Sequence, residues 1–499
     1  MNLWQGRILA SAQAGRLLDL PPDALRSLRL DGEEVVTLRV GQRRLPVRVR
    51  PGQRGTPAVA RASRPVLAAL ALPPGHRFWL RREADGGLHL GPLLGFLSLR
   101  SIYANQRACP YAGDQNFFRD ACLLAARAGG LAYVFGPGDV NWASLSTRGY
   151  TYRLSPSGTG GRWVPGVFPL PDVVYNRILG RSRELSAPIR SVEGRLRSLP
   201  LTSAFFNPGY FDKWQVNEAL SRDGAVGDLI PRTLRATPRH VLEMLDATGM
   251  VYVKPRDGFA GRGIMRVERL GPHRYRVTRL SGVRPIRSLG GWKTVLRLVG
   301  ANARGTRCIV QEGVRLPEYR GRAFDLRAMV QKDESGTWCM TALVAKLAAP
   351  GGITTHIRTG GDAQMVGPVL AHVFGKDAPL VRQRAEEAGL AVAAALERGI
   401  GLELGELGMD LAVDRKGRPW VLEVNAKPGR KVFHLMPAWN RTWTRRLVYY
   451  GGYRAGFQRD GRFAGALSAA PGSAPAANSP SGAAPEAAVS MALPGGGAR

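Results

Sequence analysis

The sequence predicts a multidomain chain of mixed α/β and α+β class, and three observations lead to this prediction. The chain has 499 residues, of which 44% are hydrophobic and 8% aromatic, enough for about two to four folding units with large cores. A strand–helix–strand pattern typical of a parallel βαβ unit lies between residues 93 and 135. Many of the β-prone runs in residues 1–88 and 200–450 are separated by tight turns, as in antiparallel sheets.

Residues 1–88 are predicted to form a small β-rich domain. Two alternating runs, 34–40 and 45–50, flank a Gly-Gln turn, and two more flank the turn at 84–87. Outward arginines on these strands could attract an anionic surface. Stacking aromatics do not alternate with them, so the solvated face of a half-buried sheet is the favoured interpretation.

Residues 89–182 are predicted to form an α/β domain. Apolar runs at 93–97 and 131–135 are typical of buried parallel strands, with an amphipathic helix at 117–128 between them and a further strand at 172–178. The glycines at 136–138 and 158–161 do not form GxGxxG between a strand and a helix. We therefore expect turns there and no dinucleotide site.

The chain is strongly basic, with 71 Lys and Arg against 38 Asp and Glu and a net charge of +33. This surplus predicts attraction to polyanions such as nucleotides, nucleic acid or acidic polymers. Only nine of the basic residues are lysines, and the first is Lys213. Residues 464–499 consist mostly of Ala, Gly, Pro and Ser and are predicted to be a disordered tail.

The cysteines are widely spaced and lack CxxC motifs: Cys109, Cys122, Cys308 and Cys339. This spacing is typical of reduced thiols in a cytoplasmic protein and not of a zinc site or a disulfide framework. The sequence contains no signal-peptide pattern and no apolar run of about 18 residues, so no membrane span is expected.

The strongest signal for a site lies at 406–430, which is predicted to be a β-hairpin folded at Gly417. Glu423 and Asn425 would share one face of the second strand, with Asp410 alongside on the first. Two carboxylates and a carboxamide without Cys or His suit Mg²⁺ shared with phosphate oxygens. The alternative is an exposed hairpin with solvated charges, which poorly explains acids beside the apolar run at 420–422.

A second candidate site follows the strand at 250–254, which ends in Lys254. Gly258, Gly261 and Gly263 come next, and glycines allow backbone N–H groups to approach phosphates while an ammonium neutralises them. The order differs from Walker A because the lysine precedes the glycines. A glycine-rich hairpin turn is the alternative. Scarce lysines nevertheless recur beside strand ends, glycines and the acidic hairpin, at Lys213, Lys254, Lys346 and Lys427. This pattern suggests that a compact ammonium group is needed at some of these four positions, with one or two of them placed there by chance.

The chain resembles the ATP-grasp superfamily of carboxylate–amine ligases in an ordered set of residues: Lys213, Lys254 with its glycine loop, Gln311-Glu312, Asp325-Leu-Arg327 and Asp410…Glu423-Val-Asn425. It resembles the YheC/YheD-like endospore coat-associated family more closely in VVYNRI, FNPGYFDKWQV, YVKPRDGFAGRGI, RAFDLRAMVQKD and LEVNAKPGR. The resemblance covers about residues 91–450. It implies an ATP-grasp fold of two α+β subdomains at 200–450, preceded by the small α/β domain and the β-rich domain.

The resemblance also implies roles for individual residues. ATP phosphates would contact Lys254 and Lys213 under a lid of Gly258, Gly261 and Gly263, and adenine and ribose would lie at a hinge of Gln311, Glu312 and Val314. Mg²⁺, or alternatively Mn²⁺, would be held by Asp410, Glu423 and Asn425, and the transferred phosphoryl group would be stabilised by Arg327 and Lys346.

The implied reaction is ligation of a carboxylate and an amine through an acylphosphate, with both substrates unknown. The alternative is an ATP-binding coat component whose nucleotide site is structural, regulatory or vestigial, recruited by its charge to spore coat proteins or an anionic polymer. Direct nucleic-acid binding rests on charge alone and is disfavoured. The implied location is cytoplasmic, with association with the spore coat.

Overall fold

The computed structural model describes residues 2–52, 58–100, 111, 115–158, 160–256, 258, 261–303, 307–433 and 437–467. Positions 259 and 260 of the predicted lid, Cys109, and the predicted tail beyond residue 467 lie outside these ranges. Within them, no helix combines the length and apolar character needed to cross a membrane. The cysteines at 308 and 339 are free thiols.

The first unit is a closed seven-stranded barrel with strand order β1-β5-β2-β4-β3-β7-β6. Its elements are β1 (Leu3–Ser11), β2 (Leu17–Leu20), α1 (Pro22–Leu28), β3 (Val35–Val40), β4 (Arg43–Pro51), β5 (Val59–Ser63), α2 (Arg64–Ala69), β6 (Arg77–Arg82) and β7 (Leu88–Gly91). The hairpin predicted around Gly41 is present, since β3 and β4 pair antiparallel across it. Arg48 occupies an exposed outward position of β4, as the alternation predicts, and Arg50 is half-buried beside Asp19. Arg39 of β3, which the same alternation predicts to point outward, is instead buried and paired with Glu83 and Asp172.

The second unit is an α/β sheet of order β10-β11-β9-β8-β13-β14, with β12 paired to β11. Its elements are β8 (Leu93–Leu97), α3 (Gln115–Arg127), β9 (Leu131–Phe135), β10 (Val140–Asn141), β11 (Ser146–Leu154), β12 (Gly161–Pro169), β13 (Val173–Asn176), α4 (Arg181–Glu184), α5 (Ala187–Arg197) and β14 (Ala204–Phe206). The predicted βαβ unit is present, because β8 and β9 are parallel and joined through α3. Buried Asp172 accepts a hydrogen bond from the Leu93 amide and contacts His89 of the barrel at 2.8 Å, which ties the two units together.

The third unit is an antiparallel sheet of order β15-β20-β16-β17-β18-β19, called here the small sheet. Its elements are β15 (Thr233–Arg235), α7 (Pro238–Thr248), β16 (Met250–Pro255), β17 (Met265–Gly271), β18 (Arg274–Ser281), β19 (Arg284–Gly290), α8 (Trp292–Ala303) and β20 (Cys308–Glu312). Helix α6 (Lys213–Ser221) precedes this unit in the chain and packs through Val216 and Leu220 in the core of the large sheet described next. Thr237 followed by Pro238 predicts a helix start, and Thr237 does cap α7 by accepting from the His240 amide. The sequence at 229–234 predicts a short strand or edge segment, and β15 is an edge strand of the sheet. Its pairing begins only at Thr233, because a 3-10 turn ends at Leu229 and Pro231 has no N–H to donate.

The fourth unit contains the large sheet, of order β24-β23-β22-β25-β26 with β21 paired to β22. Its elements are β21 (Glu318–Tyr319), β22 (Arg322–Lys332), β23 (Trp338–Leu347), β24 (Asp362–Met365), α9 (Val366–Phe374), α10 (Ala378–Ile400), β25 (Glu406–Val413), β26 (Pro419–Asn425), α11 (Pro437–Arg454), β27 (Gln458–Arg459), β28 (Arg462–Phe463) and α12 (Ala464–Leu467). Helix α10 packs on one face of the sheet, through a buried stripe that includes Ala385 and Val392. Ala464 is buried in a helical turn, so ordered chain continues past the predicted start of the tail.

Candidate active site

Strands β25 and β26 form the hairpin that the sequence predicts. Asp410 lies directly opposite Glu423, and Asn425 lies opposite Gly408. Gly417 adopts a φ of 74°, which favours glycine, and Asp414 accepts backbone hydrogen bonds across the turn. Because Glu423 and Asn425 are two residues apart on one strand, their side chains leave the sheet on the same side. The hairpin thus brings the three candidate ligands to one face.

Two cations neutralise Asp410. Nη1 of Arg327 and Nζ of Lys346 each lie 3.0 Å from the same Asp410 oxygen. Burial alone would raise the pKa of Asp410, but these cations outweigh burial and hold it well below the usual value. Arg327 and Lys346 are therefore both engaged with a candidate metal ligand.

Asp325 forms the next layer of this cluster. It lies 3.2 Å from Lys346 Nζ and accepts a hydrogen bond from the Thr355 hydroxyl. Burial raises the pKa of Asp325 to about 6, against the opposing effect of Lys346. Lys346 thus sits between two carboxylates, and their attraction raises its own pKa although burial works in the other direction.

Lys254 reaches the same cleft from the small sheet. Its ammonium donates to the Gln311 side-chain oxygen, and Gln311 in turn donates to the Thr233 hydroxyl at 3.1 Å. Burial lowers the pKa of Lys254 to about 8, with Glu423 opposing this shift. Gln311 therefore holds Lys254 with its side chain, a contact that the sequence did not indicate.

Lys213 connects the two sheets. Asp212 caps α6 by accepting from the Trp214 amide at 2.7 Å, which sets Lys213 as the first residue of the helix. From there Lys213 Nζ donates to the Gly258 carbonyl at 2.7 Å and lies 3.2 Å from Oε1 of Glu423. One ammonium thus joins the glycine loop of the small sheet to the acidic hairpin of the large sheet.

The glycine loop packs against a segment of the large-sheet unit. Gly261 and Gly263 have φ values of 73° and 71°. A Cβ at Gly261 would lie 3.3 Å from Thr354 Oγ1 and 3.5 Å from Thr359 Cγ2, and these two threonines are hydrogen-bonded to each other. The positive φ and the tight contact with Thr354 both favour glycine at 261.

Residues 312–314 link the two sheets. The Glu312 amide donates to the Arg232 carbonyl, and its carboxylate accepts from the Arg232 amide at 3.3 Å. Gly313 donates to the Met250 carbonyl. Within the part of the chain that the structure describes, Val314 makes no backbone–backbone hydrogen bond, so its N–H and C=O are available to a ligand.

The structure brings most of the predicted site residues into one cleft, but Lys427 lies apart from them. Its ammonium is buried and pairs with Glu184 and the Ile178 carbonyl. Burial lowers the pKa of Lys427 to about 8. This lysine anchors the chain after β26 to the α/β unit instead of facing the cleft.

Sequence reasoning missed Asn207, which is fully buried with a φ of 54°. Its amide nitrogen donates to the carbonyls of Glu406 and Ala426, and its oxygen accepts from the amides of Gly405 and Glu406. It therefore fastens both ends of the acidic hairpin to β14. Thr355 was also missed. Neither has a local sequence signal beyond the turn-prone Asn-Pro pair at 207–208.

Among the described residues, no group of three or more His, Cys, Asp and Glu side chains gathers as a metal site would require. The candidate set consists of two carboxylates, Asp410 and Glu423, and the carboxamide of Asn425. Asn425 makes no side-chain hydrogen bond in the ranges described, so its oxygen is available.

Two curated proteins are similar to this chain. The chain is 29% identical over 363 residues to the endospore coat-associated protein YheD of Bacillus subtilis (strain 168), covering 70% of this chain and 75% of that protein. It is 24% identical to the endospore coat-associated protein YheC of the same organism, covering 68% and 89%.

Two solved structures are similar at lower identity. D-cycloserine synthetase DcsG matches with 17% identity and a TM-score of 0.42, covering 72% of this chain and 99% of that one. D-alanyl-alanine synthetase A from Vibrio cholerae O1 biovar eltor str. N16961 matches with 11% identity and a TM-score of 0.41, covering 74% and 99%.

The family model described as YheC/D like ATP-grasp matches residues 202–453, which hold the small sheet, the large sheet and the cleft between them. This match spans half of the 499 residues. The protein therefore belongs to the YheC/D-like ATP-grasp family and has the ATP-grasp fold.

Proposed function

We propose that this protein is an ATP- and Mg²⁺-dependent ligase that joins a carboxylate to an amine or a related nucleophile through an acylphosphate. One observation carries the proposal: Lys213 links the glycine loop beside Lys254 to Glu423 of the acidic hairpin. Two ammonium groups and two carboxylates therefore face one cleft, which is the charge pattern that a metal-bound triphosphate requires.

The donor set fits a hard cation. Asp410, Glu423 and Asn425 offer oxygen atoms alone, and oxygen is the ligand atom that Mg²⁺ prefers. When bound there, the ion would offset charge on the phosphate oxygens. In the cleft as described, Lys213 balances Glu423, while Arg327 and Lys346 balance Asp410. These cations would be released toward phosphate oxygens as the carboxylates turn to the metal.

The remaining residues would act by position and charge. Lys254 and Lys213 would hold the phosphates under the glycine loop, and the N–H and C=O of Val314 would receive the adenine edge. A carboxylate oxygen of the substrate would attack the γ-phosphorus in line, breaking its bond to the β,γ-bridging oxygen and releasing ADP. The amine nitrogen would then attack the acyl carbon, the amine proton would pass to solvent, and inorganic phosphate would leave. Arg327 and Lys346 would stabilise charge on the transferred phosphoryl group.

A second function has specific support. The two Bacillus relatives are named endospore coat-associated, and this chain carries a net charge of +33. An ATP-binding coat component, attached to coat proteins or an anionic polymer and using its nucleotide site for regulation, would have the same fold. The two functions differ in whether ADP is released in a substrate-dependent way.

The test is ADP release from MgATP by the purified full-length protein, measured against pools of amino and carboxylic acids. Release that requires one carboxylate pool together with one amine pool supports the ligase. The regulatory function gains if MgATP binds tightly and no pool produces ADP. Loss of MgATP binding altogether would contradict both.

A further inference from the structure

A polar row crosses the small sheet on the side facing the cleft. The cross-strand register places six residues side by side, one from each strand: Thr233, Gln311, Tyr252, Arg266, Thr278 and Arg287. The alternate positions, such as Val251 and Val267, form the core on the other face. The row begins beside Lys254 and ends at the edge strand β19.

The row carries more positive charge than the one neighbouring carboxylate can neutralise. Glu268 lies 3.2 Å from Arg266 and 3.9 Å from Arg276, so one carboxylate serves two guanidinium groups. Arg287 has no carboxylate partner within the described ranges. Arg276 is partly exposed and Arg287 is exposed. The surface therefore carries net positive charge on the side that opens to the cleft.

Thr278 lies between Arg266 and Arg287 and has no exposed surface. Its hydroxyl oxygen makes no hydrogen bond in the described structure, and Nε of Arg266 likewise lacks a partner. Buried polar groups are normally paired, because an unpaired one costs about 1–3 kcal/mol. Both groups lie within the row, where a water or the polar atoms of a ligand would satisfy them.

The outer end of the row meets the mouth of the cleft. A Cβ at Gly351 would lie 3.1 Å from Nη2 of Arg287, and a Cβ at Gly360 would lie 3.7 Å from Val283. Both glycines flank the threonine segment that contacts the glycine loop. A ligand on the row would therefore extend from the rim of the cleft toward Lys254.

The exposed apolar residues beside the row are aliphatic. Leu289 is 57% exposed on the cleft side of β19, and Val283 in the turn before β19 is 52% exposed. Binding of single-stranded nucleic acid uses stacking aromatics, and the exposed large apolar residues of β17–β19 include none. An edge strand with arginines and aliphatic side chains suits an extended chain that carries carboxylates and some apolar groups.

We propose that the row and β19 bind the carboxylate substrate of the ligase and that this substrate is an acidic, extended peptide segment. The proposal rests on the proposed function and adds the class of its substrate. Carboxylates of the segment would pair with Arg276 and Arg287, and one carboxylate further along would reach the cleft as the group to be activated.

The experiment compares two double variants of the full chain. Arg276→Ala with Arg287→Ala removes two charges from the cleft side. The control, Arg279→Ala with Arg284→Ala, removes two charges from the same two strands. These two side chains leave the opposite face of the sheet, because their positions alternate with those of the row. Binding of fluorescein-labelled deca-L-glutamate is measured by anisotropy, and MgATP affinity is measured in parallel.

We expect the cleft-side variant to bind deca-L-glutamate at least about tenfold more weakly and the control variant to bind within about twofold of the parent. MgATP affinity should be equal in all three proteins. Equal weakening in both variants would mean that net charge alone drives binding and would overturn the proposal. It would also be overturned if fluorescein-labelled dT10 bound as tightly as the peptide with the same dependence on Arg276 and Arg287. If MgATP does not bind while the peptide still depends on these arginines, the ligase function fails and the binding surface stands.

Discussion

The ammonium nitrogen of Lys213 lies 3.2 Å from Oε1 of Glu423, although the first belongs to α6 and the second to β26. The same ammonium holds the Gly258 carbonyl of the glycine loop. A proposed metal ligand is thus paired with a proposed phosphate ligand across the cleft. Any metal-bound triphosphate has to separate this pair, so removing one member should change metal dependence and not only affinity.

Glu423→Gln keeps the size of the side chain and removes its charge. We expect MgATP affinity to fall by at least about 100-fold, since a direct ligand should matter no less than the supporting contacts whose loss costs 10–100-fold. Affinity for ATP in EDTA should rise, because Lys213 loses its carboxylate partner and is available to phosphate. Titration calorimetry with and without Mg²⁺ measures both. Glu386→Gln, on the exposed side of α10, is the control and should change neither value. Unchanged Mg²⁺ dependence in Glu423→Gln would remove this residue from the metal site.

The lowered pKa of Lys254 predicts that the affinity for MgATP depends on pH. Its pKa is lowered by burial to about 8, so the ammonium is mostly charged below pH 8 and mostly neutral above it. Phosphates favour the charged form, and MgATP binding should therefore take up a proton at alkaline pH. We expect the Kd for MgATP to rise between pH 7.5 and 9.5, approaching about tenfold per unit above pH 8.

Lys254→Arg provides the control for this profile, because arginine stays charged across the whole range. Its Kd should be nearly independent of pH even if its absolute value is weaker. A slope as steep as that of the parent would assign the titration to another group.

Part of this site could be predicted from the sequence because it depends on local pattern. Side chains alternate between the two faces along β26, so Glu423 and Asn425 share one face. The turn at Gly417 sets the register of the hairpin, which places Asp410 opposite Glu423. Asn207 and Thr355 could not be predicted in the same way. Asn207 bonds to Glu406, 199 residues away, and Thr355 bonds to Asp325, 30 residues away. A single polar residue in a turn has no sequence pattern from which such a distant partner could be predicted.

The hairpin of β11 and β12 shows a second limit. The glycines at 158–161 correctly indicated its turn, but the flanking strands were not predicted. Pro165 and Pro169 argue against a strand in sequence, and β12 tolerates them because it lies outside the main path of the sheet and pairs with β11 on one side. Whether a strand tolerates proline therefore depends on its position in the sheet, which the local sequence does not reveal.

Replacing Lys346 should lower the stability of the protein, and this effect can be measured separately from activity. Lys346→Met leaves two carboxylates, Asp325 and Asp410, without the cation that lies 3.2 and 3.0 Å from them. We expect the free energy of unfolding to fall by about 3 kcal/mol, as when one partner of a buried ion pair is removed. Adding Asp325→Asn should recover much of the loss, because Asp410 keeps Arg327 and Asp325 is the carboxylate left without its cation.

Urea denaturation followed by tryptophan fluorescence measures the stability of both variants, and ADP release measures activity. The double variant should be stable and inactive if Lys346 also serves the phosphoryl group. A double variant no more stable than Lys346→Met would show that Asp325 does not need this cation.

Asn207 tests whether the acidic hairpin depends on its attachment to β14. Asn207→Asp keeps the oxygen that accepts from Gly405 and Glu406 but replaces the amide that donates to the Glu406 and Ala426 carbonyls at 2.7 and 2.6 Å. Two buried carbonyls would then face a carboxylate, and we expect a loss of about 2–4 kcal/mol in stability. Ala426 directly follows Asn425, so the Mg²⁺ concentration needed for half-maximal ATP binding should also rise. Asn141→Asp is the matched control: this exposed side chain accepts a hydrogen bond from the Ser144 amide, which a carboxylate preserves. If Asn207→Asp lowered stability without changing Mg²⁺ dependence, the hairpin would hold its ligands in place without Asn207.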